Sequence, residues 1–463
     1  MSSVVQIPRP SRRLALAAAL SLLVARGAGG QEGVQGARGV REARPPKLSK
    51  VERRIRDSVH RTREEQVAFL ARLVNVGSGT MNPAGVRQVG DIARAALDSL
   101  GFETRWVAMP DSVKRAGHLF AEHRGKPGRT RILLIGHLDT VFEGPGQQFE
   151  RVDTLAKGAG TSDMKGGDAI IVYALKALKR VGALKDANVI VALTGDEESA
   201  GEPLSVSRRD LIEAARRSDV ALAFEGGSRD NVTVARRGAS WWLLTVTGRQ
   251  GHSAGVFGEG SGYGAIFEAA RILDTFRREL AGEQYLTFNP GVIVGGTDVV
   301  YDSLHLSGTA AGKTNIIARS ASVPGDLRFI SAEQLEKARS RMREIVAQNL
   351  AGTSAQIAFY DEYPAMPPTA GNYRLLAVYD SVSRALGYGG VEALDPGRRG
   401  AGDISFVAPY VDGLDGLGAL GSGAHTPREE VNLAALPMQT ARAALLIYRL
   451  SREKPAPRQT AAK

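Results

Sequence analysis

Four short stretches of this chain bring an acid or an imidazole to the end of an apolar or glycine-rich run. Leu133-Leu134-Ile135 leads into Gly136-His137-Leu138-Asp139, and Ala192-Leu193 leads into Thr194-Gly195-Asp196-Glu197-Glu198. Ala221-Leu222-Ala223 leads into Phe224-Glu225, and Asp163 stands inside Gly158–Gly167, just ahead of Gly166-Gly167. Apolar runs this short read as strands buried on both faces. A carboxylate cannot continue into such an interior without a large desolvation cost, so each strand has to stop there. In an open α/β sheet, groups beyond the carboxyl ends of the strands share one crevice. The pattern therefore asks for a parallel sheet whose charged ends converge.

Asp163, Glu197, Glu198 and Glu225 cannot share a crevice as bare carboxylates, because like charges at short range suppress ionisation. Two divalent cations would neutralise them. His137, and His425 in Gly421-Ser422-Gly423-Ala424-His425-Thr426-Pro427, would complete nitrogen and oxygen donor sets of the kind zinc accepts. The chain has no cysteine, which excludes thiolate ligands and a thiolate nucleophile. On an extended segment His137 and Asp139 fall on one face, and a ligating imidazole usually gives its second N–H to such a carboxylate. Taken singly, Asp163 could be a helix cap and Glu197-Glu198 a solvated loop. Capping does not explain all four segments in this order.

At 463 residues the chain is too long for one ordinary domain. Helical spacing runs through 64–76 and 84–100. Strands are expected at Phe102–Ala108, His118–His123, Arg131–Ile135, Val189–Leu193 and Val220–Phe224, with helices at Asp168–Lys179 and Leu204–Arg217. This alternation predicts an α/β fold, a mostly parallel sheet covered by helices. The character changes near Gly238. A β-prone run at Ala239–Thr247, a helix from Gly262 to about 281, strands near Gly291–Gly295 and Ser320–Ile330, and a helix over 332–350 read as a smaller α+β insert. The insert is placed at 239–353, as a lid and dimerisation domain. The larger domain is thereby split into 61–238 and 354–452, ahead of a disordered tail at 453–463. Trp241 and Trp242, at the start of the insert, are read as core packing.

Residues 1–30 have the order of a secretory signal: Arg9, Arg12 and Arg13, then the apolar run Leu14–Ala25, then small residues. The run is short for a membrane span. Cleavage is expected after Ala28 or Gly30, and Ser11-Arg12-Arg13 is compatible with twin-arginine export. Residues 31–60 read as a Gly-, Arg- and Pro-rich linker running into a helix. That linker holds much of the formal charge of +11. With 6% aromatics and no nucleic-acid motif, the charge does not predict nucleic-acid binding.

The motifs GHLDTV, GAGTSDMKGG, TGDEES, FEGG, GHSAG and GAHTPREE together resemble the zinc-dependent aminoacylase and glutamate carboxypeptidase family, over about residues 64–450. The resemblance implies two Zn2+ ions, with Co2+ or Mn2+ as substitutes. His137 and Glu225 would hold one, Glu198 and His425 the other, and Asp163 would bridge them, followed by a cis Asp163–Met164 peptide. Asp139 would orient His137. Glu197 would be the general base toward the water between the metals, passing its proton to the leaving nitrogen. His252, in GHSAG, matches a lid histidine that reaches the partner subunit's active site and stabilises the oxyanion. Asn315 and Arg328 resemble lid positions that hold the substrate's carboxylate, a task for which the arginine fork is suited. Gly402 lies in a loop, Gly400–Ser405, that resembles one lying near the substrate, where glycine lets backbone approach closely. Met164 replaces a second Asp found in some relatives, at a position that is not a ligand. Glu225, rather than Asp, argues against a carnosine-cleaving dipeptidase.

The reading that follows is a periplasmic or secreted di-zinc exopeptidase of carboxypeptidase type. It would cut a peptide or amide bond next to a free carboxylate in a small peptide or N-acyl amino acid. It would form a homodimer through the lid, without nucleic acid and without a stable membrane span after signal removal. An N-acyl-amino-acid amidohydrolase would use the same machinery and is the alternative. A non-catalytic peptide-binding protein would lack a ligand or the base, and none is missing.

Overall fold

A six-stranded sheet forms the centre of the larger body, in the order Glu103–Val107, His118–His123, Asn188–Thr194, Arg131–His137, Val220–Ala223, Asp412–Leu414. The last four run parallel, and the first two join one edge by antiparallel pairing. The computed structural model describes residues 47–144, 147–303 and 306–455. The expected signal segment 1–30, residues 31–46 of the linker and residues 456–463 of the tail lie outside them.

The apolar runs split by alternation. Ile132 and Leu134, with Val189, Val191 and Leu193, face one core; Leu133 and Ile135, with Ile190 and Ala192, face another. Helices Lys50–Arg61, Arg63–Val74, Pro83–Ser99, Lys165–Arg180, Ala370–Leu386 and Leu436–Leu450 cover the first face. Arg209–Arg216 and the short turn Ile404–Val407 cover the second. Each fully buried Leu or Ile stabilises by about 1.5–3 kcal/mol, so strands that are apolar on both sides belong at the sheet's centre.

Two expectations for the larger body change. Residues 50–61 fall in the stretch predicted as linker, yet they form a helix whose Ile55 and Val59 are fully buried. Ser49 starts it with a capping box: its hydroxyl accepts the Glu52 N–H while the Glu52 carboxylate accepts the Ser49 N–H. The helix predicted over Leu204–Arg217 is two, Leu204–Ser207 and Arg209–Arg216. The break falls at Arg208, whose side chain turns fully inward.

The insert is built on an antiparallel sheet ordered Thr287–Pro290, Ser320–Phe329, Gly238–Gly248, Thr353–Asp361, with Val294–Gly296 also paired to Ser320–Phe329. Helices Ala265–Leu280 and Ala332–Ala347 pack over Trp242, Leu244 and Val246. Trp242 is buried as expected, but its neighbour faces the other way: Trp241 stacks on Tyr360 with ring centroids 3.7 Å apart. The insert's end, expected at 353, falls at 361 instead. The strand Thr353–Asp361 pairs along Gly238–Gly248 and leans Ala355, Ile357 and Phe359 on the insert's own core. The chain thus crosses between the bodies twice, side by side, with Ser240 paired to Asp361 and Arg236 bridged to Met366.

Candidate metal centre

His137 closes its strand, and Glu197-Glu198 and Glu225 follow the neighbouring strands on either side of it. Gly136 is required there, because a Cβ would lie 2.2 Å from Asp168 Oδ1. Asp163 enters just before the helix Lys165–Arg180 and is followed by a cis Asp163–Met164 peptide. His137 Nε2 lies 3.3 Å from Asp163 Oδ1 and 3.7 Å from Glu225 Oε1. His425 Nε2 lies 3.1 Å from Asp163 Oδ2 and 3.2 Å from Glu198 Oε2. His425 adopts a left-handed backbone, φ 63°. That conformation costs a non-glycine residue about 1–2 kcal/mol and concentrates at functional sites. The five residues form two groups, His137/Asp163/Glu225 and Asp163/Glu198/His425; within each, the donor atoms lie within 4.8 Å of one another.

Two further carboxylates hold these ligands in place. Asp139 accepts the Thr80 hydroxyl at 2.6 Å and the backbone N–H groups of Glu197 and Glu198, both at 3.1 Å, while its Oδ1 lies 3.3 Å from His137 Nδ1. Glu429, fully buried, accepts the backbone N–H groups of Gly160, Ser162 and Asp163 at 2.8–3.0 Å. Sequence reasoning gave Glu429 no role. It sits in GAHTPREE, but no local pattern separates an acid folded under a distant loop from a solvated one.

The electrostatics ask for cations. Burial works against charge on His137, but Asp139, Asp163 and Glu225 outweigh it and hold the imidazole well above 6.5. Hydrogen bonds to Asp163 and Glu198 push His425 up to about 10. Burial and the adjacent Asp163 push Glu225 up to about 8. Divalent cations would take over the balance that these imidazole protons supply, since ligating histidines are neutral. Glu198 Oε1 has no hydrogen-bond partner although its side chain is 5% exposed. A buried orphan of this kind costs about 1–3 kcal/mol, and a metal satisfies it. Two imidazoles and three carboxylates suit zinc, cobalt or manganese.

A cavity of about 510 Å³ opens beside this centre, lined by Glu197, Glu198, His425, Arg328, Glu362 and Tyr363 among others. The Tyr363 hydroxyl donates to the Glu197 carbonyl at 2.6 Å. Arg328 pairs with Asp326 at 2.9 Å. His252 and Asn315 are not among the cavity's lining residues. Both are exposed on the insert, where Asn315 O accepts the Ser253 N–H at 2.9 Å and His252 Nδ1 accepts the Ala254 N–H at 3.2 Å. Ala401 lines the cavity; Gly402, next to it, is buried and not among the lining residues, and a Cβ there would meet the Arg236 guanidinium at 3.0 Å. Its loop is anchored twice. Arg236 donates to the carbonyls of Gly400 and Ala401 at 2.9 and 2.7 Å. The buried Arg208 donates to Asp403 Oδ1 at 2.9 Å and to Asp196 Oδ1 at 2.6 Å.

Residues 133–449 match the profile described as Peptidase family M20/M25/M40. Carboxypeptidase G2 of Pseudomonas sp. (strain RS-16) is 27% identical over 406 residues, covering 84% of this chain and 90% of that protein. Succinyl-diaminopimelate desuccinylase of Acidiphilium cryptum (strain JF-5) is 27% identical over 403 residues, covering 84% of this chain and 97% of that protein. The crystal structure of aminopeptidase PepT from Bacillus cereus ATCC 10987 matches with a TM-score of 0.67 over 84% of this chain and 99% of that one. At 19% identity this last likeness speaks for the fold alone.

Proposed function

The chain belongs to peptidase family M20/M25/M40, and on that premise we propose that this metal-dependent hydrolase is an exported two-zinc exopeptidase of carboxypeptidase type. One observation carries the reading: Asp163 offers one oxygen to the His137 side and the other to the His425 side. His137 and Glu225 would hold one ion, Glu198 and His425 the other, with Asp163 between them. Bound there, a pair of divalent ions polarises a carbonyl and makes water acidic enough to attack near neutral pH.

Glu197 takes a proton from the attacking water and delivers it to the leaving nitrogen. Its backbone is held at both ends, the N–H by Asp139 and the carbonyl by Tyr363. Arg328, on the cavity wall, binds the substrate's free carboxylate through its fork. Asn315 and His252 serve the cleft of a second subunit, in a homodimer formed through the insert, where His252 stabilises the oxyanion. Gly402 acts on the substrate through its loop, by letting Arg236 close in behind Ala401. The basic and apolar order of residues 1–30 supports export, and no helix among the described residues is long and apolar enough to cross a membrane.

A substrate screen with metal reconstitution tests this. Glu197→Gln is expected to keep its metal and lose about 10²–10⁴ in kcat. Unchanged turnover would overturn the base assignment. The similarity to a desuccinylase favours a second reading, an N-acyl-amino-acid amidohydrolase. High activity on N-acetyl amino acids with none on dipeptides would establish it over the first.

A further inference from the structure

The cavity beside Glu197 carries more negative charge than the proposed reaction uses. Glu202 and Glu362 line it together with Arg328. Arg328, Asp326 and Glu202 all lie within electrostatic range of the Glu362 carboxyl. Arg328 already pairs with Asp326 at 2.9 Å, so one guanidinium stands among three carboxylates. Among the described residues, no hydrogen bond or ion pair engages the carboxylates of Glu202 or Glu362. Arg115 is committed to Ser199, a residue of the cavity's lining, donating to its carbonyl at 2.7 Å and its hydroxyl at 3.1 Å. The two free acids come from separate walls. Glu202 follows the Glu197-Glu198 loop of the larger body, and Glu362 sits at the crossing into the insert. The same cavity is lined by Glu197 and Glu198, so a group held between the two acids lies beside the metal centre.

We infer that the cleft selects substrates bearing a second, cationic group, an ammonium or guanidinium held between Glu202 and Glu362 while Arg328 takes the free carboxylate. The inference rests on the exopeptidase reading and names its substrate class. A glutamyl residue in the same place would add a third uncompensated carboxylate. The cation has two possible sources, the side chain of the departing residue or the free α-amine at the other end of a dipeptide.

The test uses metal-loaded enzyme and matched substrates. The series N-acetyl-Ala-X and N-acetyl-X, with X lysine, norleucine or glutamate, reads the side-chain source. Ala-norleucine against N-acetyl-Ala-norleucine reads the amine source. In one of these comparisons the cationic substrate is expected to lead in kcat/KM by about tenfold or more. Glu202→Gln and Glu362→Gln are each expected to shrink that lead several-fold, mainly through KM. Preference for glutamate, or a lead untouched in both variants, overturns the inference while leaving the exopeptidase standing. Calorimetry of L-lysine, L-norleucine, L-glutamate and alaninamide with metal-loaded Glu197→Gln protein reads the same selectivity without turnover. Failure of every substrate alongside tighter binding of lysine or alaninamide would sink the exopeptidase and keep the cation subsite. Equal or tighter binding of glutamate would sink the subsite.

Discussion

Asp139 Oδ1 lies 3.3 Å from His137 Nδ1 and also accepts the backbone N–H of Glu197 at 3.1 Å. One buried oxygen therefore fixes both the imidazole that faces Asp163 and the loop that carries the base. Asp139→Asn keeps the shape but removes the charge. Such partners of a ligating imidazole are worth about 10–100-fold in metal affinity or activity. Loss of that size is expected in both metal retention against a chelator and kcat. If both held at wild-type levels, Asp139 would be a bystander.

Glu429 has a different task, because it touches backbone rather than ligand side chains. In Glu429→Gln one acceptor oxygen becomes a donor facing N–H groups already committed to it. A stability loss of about 1–3 kcal/mol is expected. Because the damage is to the Asp163 loop itself, thermal unfolding should show it with and without metal. A loss confined to metal-loaded protein would contradict this account.

Much of the centre was legible in sequence because chain direction and strand ends do the work. Once Leu133–Ile135, Val189–Leu193 and Val220–Ala223 lie parallel, the groups after them must meet. The details that escaped are those set by long-range packing. Glu429 reaches back across the fold to Gly160, Ser162 and Asp163. The helix Lys50–Arg61 was hidden by its arginines, although Ser49 and Glu52 carry a readable cap and Ile55 and Val59 an apolar stripe. The end of the insert was misplaced because Thr353–Asp361 joins its sheet through a pairing made with residues over a hundred positions earlier.

Arg208 shows how much rests on one cation. It is fully buried and serves Asp196 and Asp403, which flank the Glu197 loop and the Gly402 loop. Arg208→Met would leave two buried carboxylates unpaired, at a cost of about 3–5 kcal/mol. Denaturant unfolding should show it, with part of the loss recovered on adding Asp196→Asn or Asp403→Asn. Full stability in Arg208→Met alone would mean that water reaches this pocket.

Away from the centre, Glu52 gives a pH signature. Burial alone would raise its pKa, but the Ser49 N–H and the Arg449 guanidinium, 2.7 and 2.8 Å away, outweigh burial and hold it below 4.5. A lowered folded-state pKa stabilises above the unfolded value and loses that stabilisation as pH falls through the folded one. Glu52→Gln should therefore cost about 1–2 kcal/mol at neutral pH. The gap between variant and wild type should narrow once the pH drops under 4.5. A gap that stays constant down the acid limb would assign the effect to packing.

The paired crossings at Ser240 and Asp361 also bear on how this architecture tolerates change. Because the departing and returning strands are immediate neighbours, the larger body meets everything between them as one long excursion from a single point on its surface. The entropy of closing such an excursion grows only slowly with its length. Additions or deletions within the excursion therefore leave the central sheet's registry untouched, so the sheet that carries the metal-centre residues and the outer parts of the insert can diversify at independent rates.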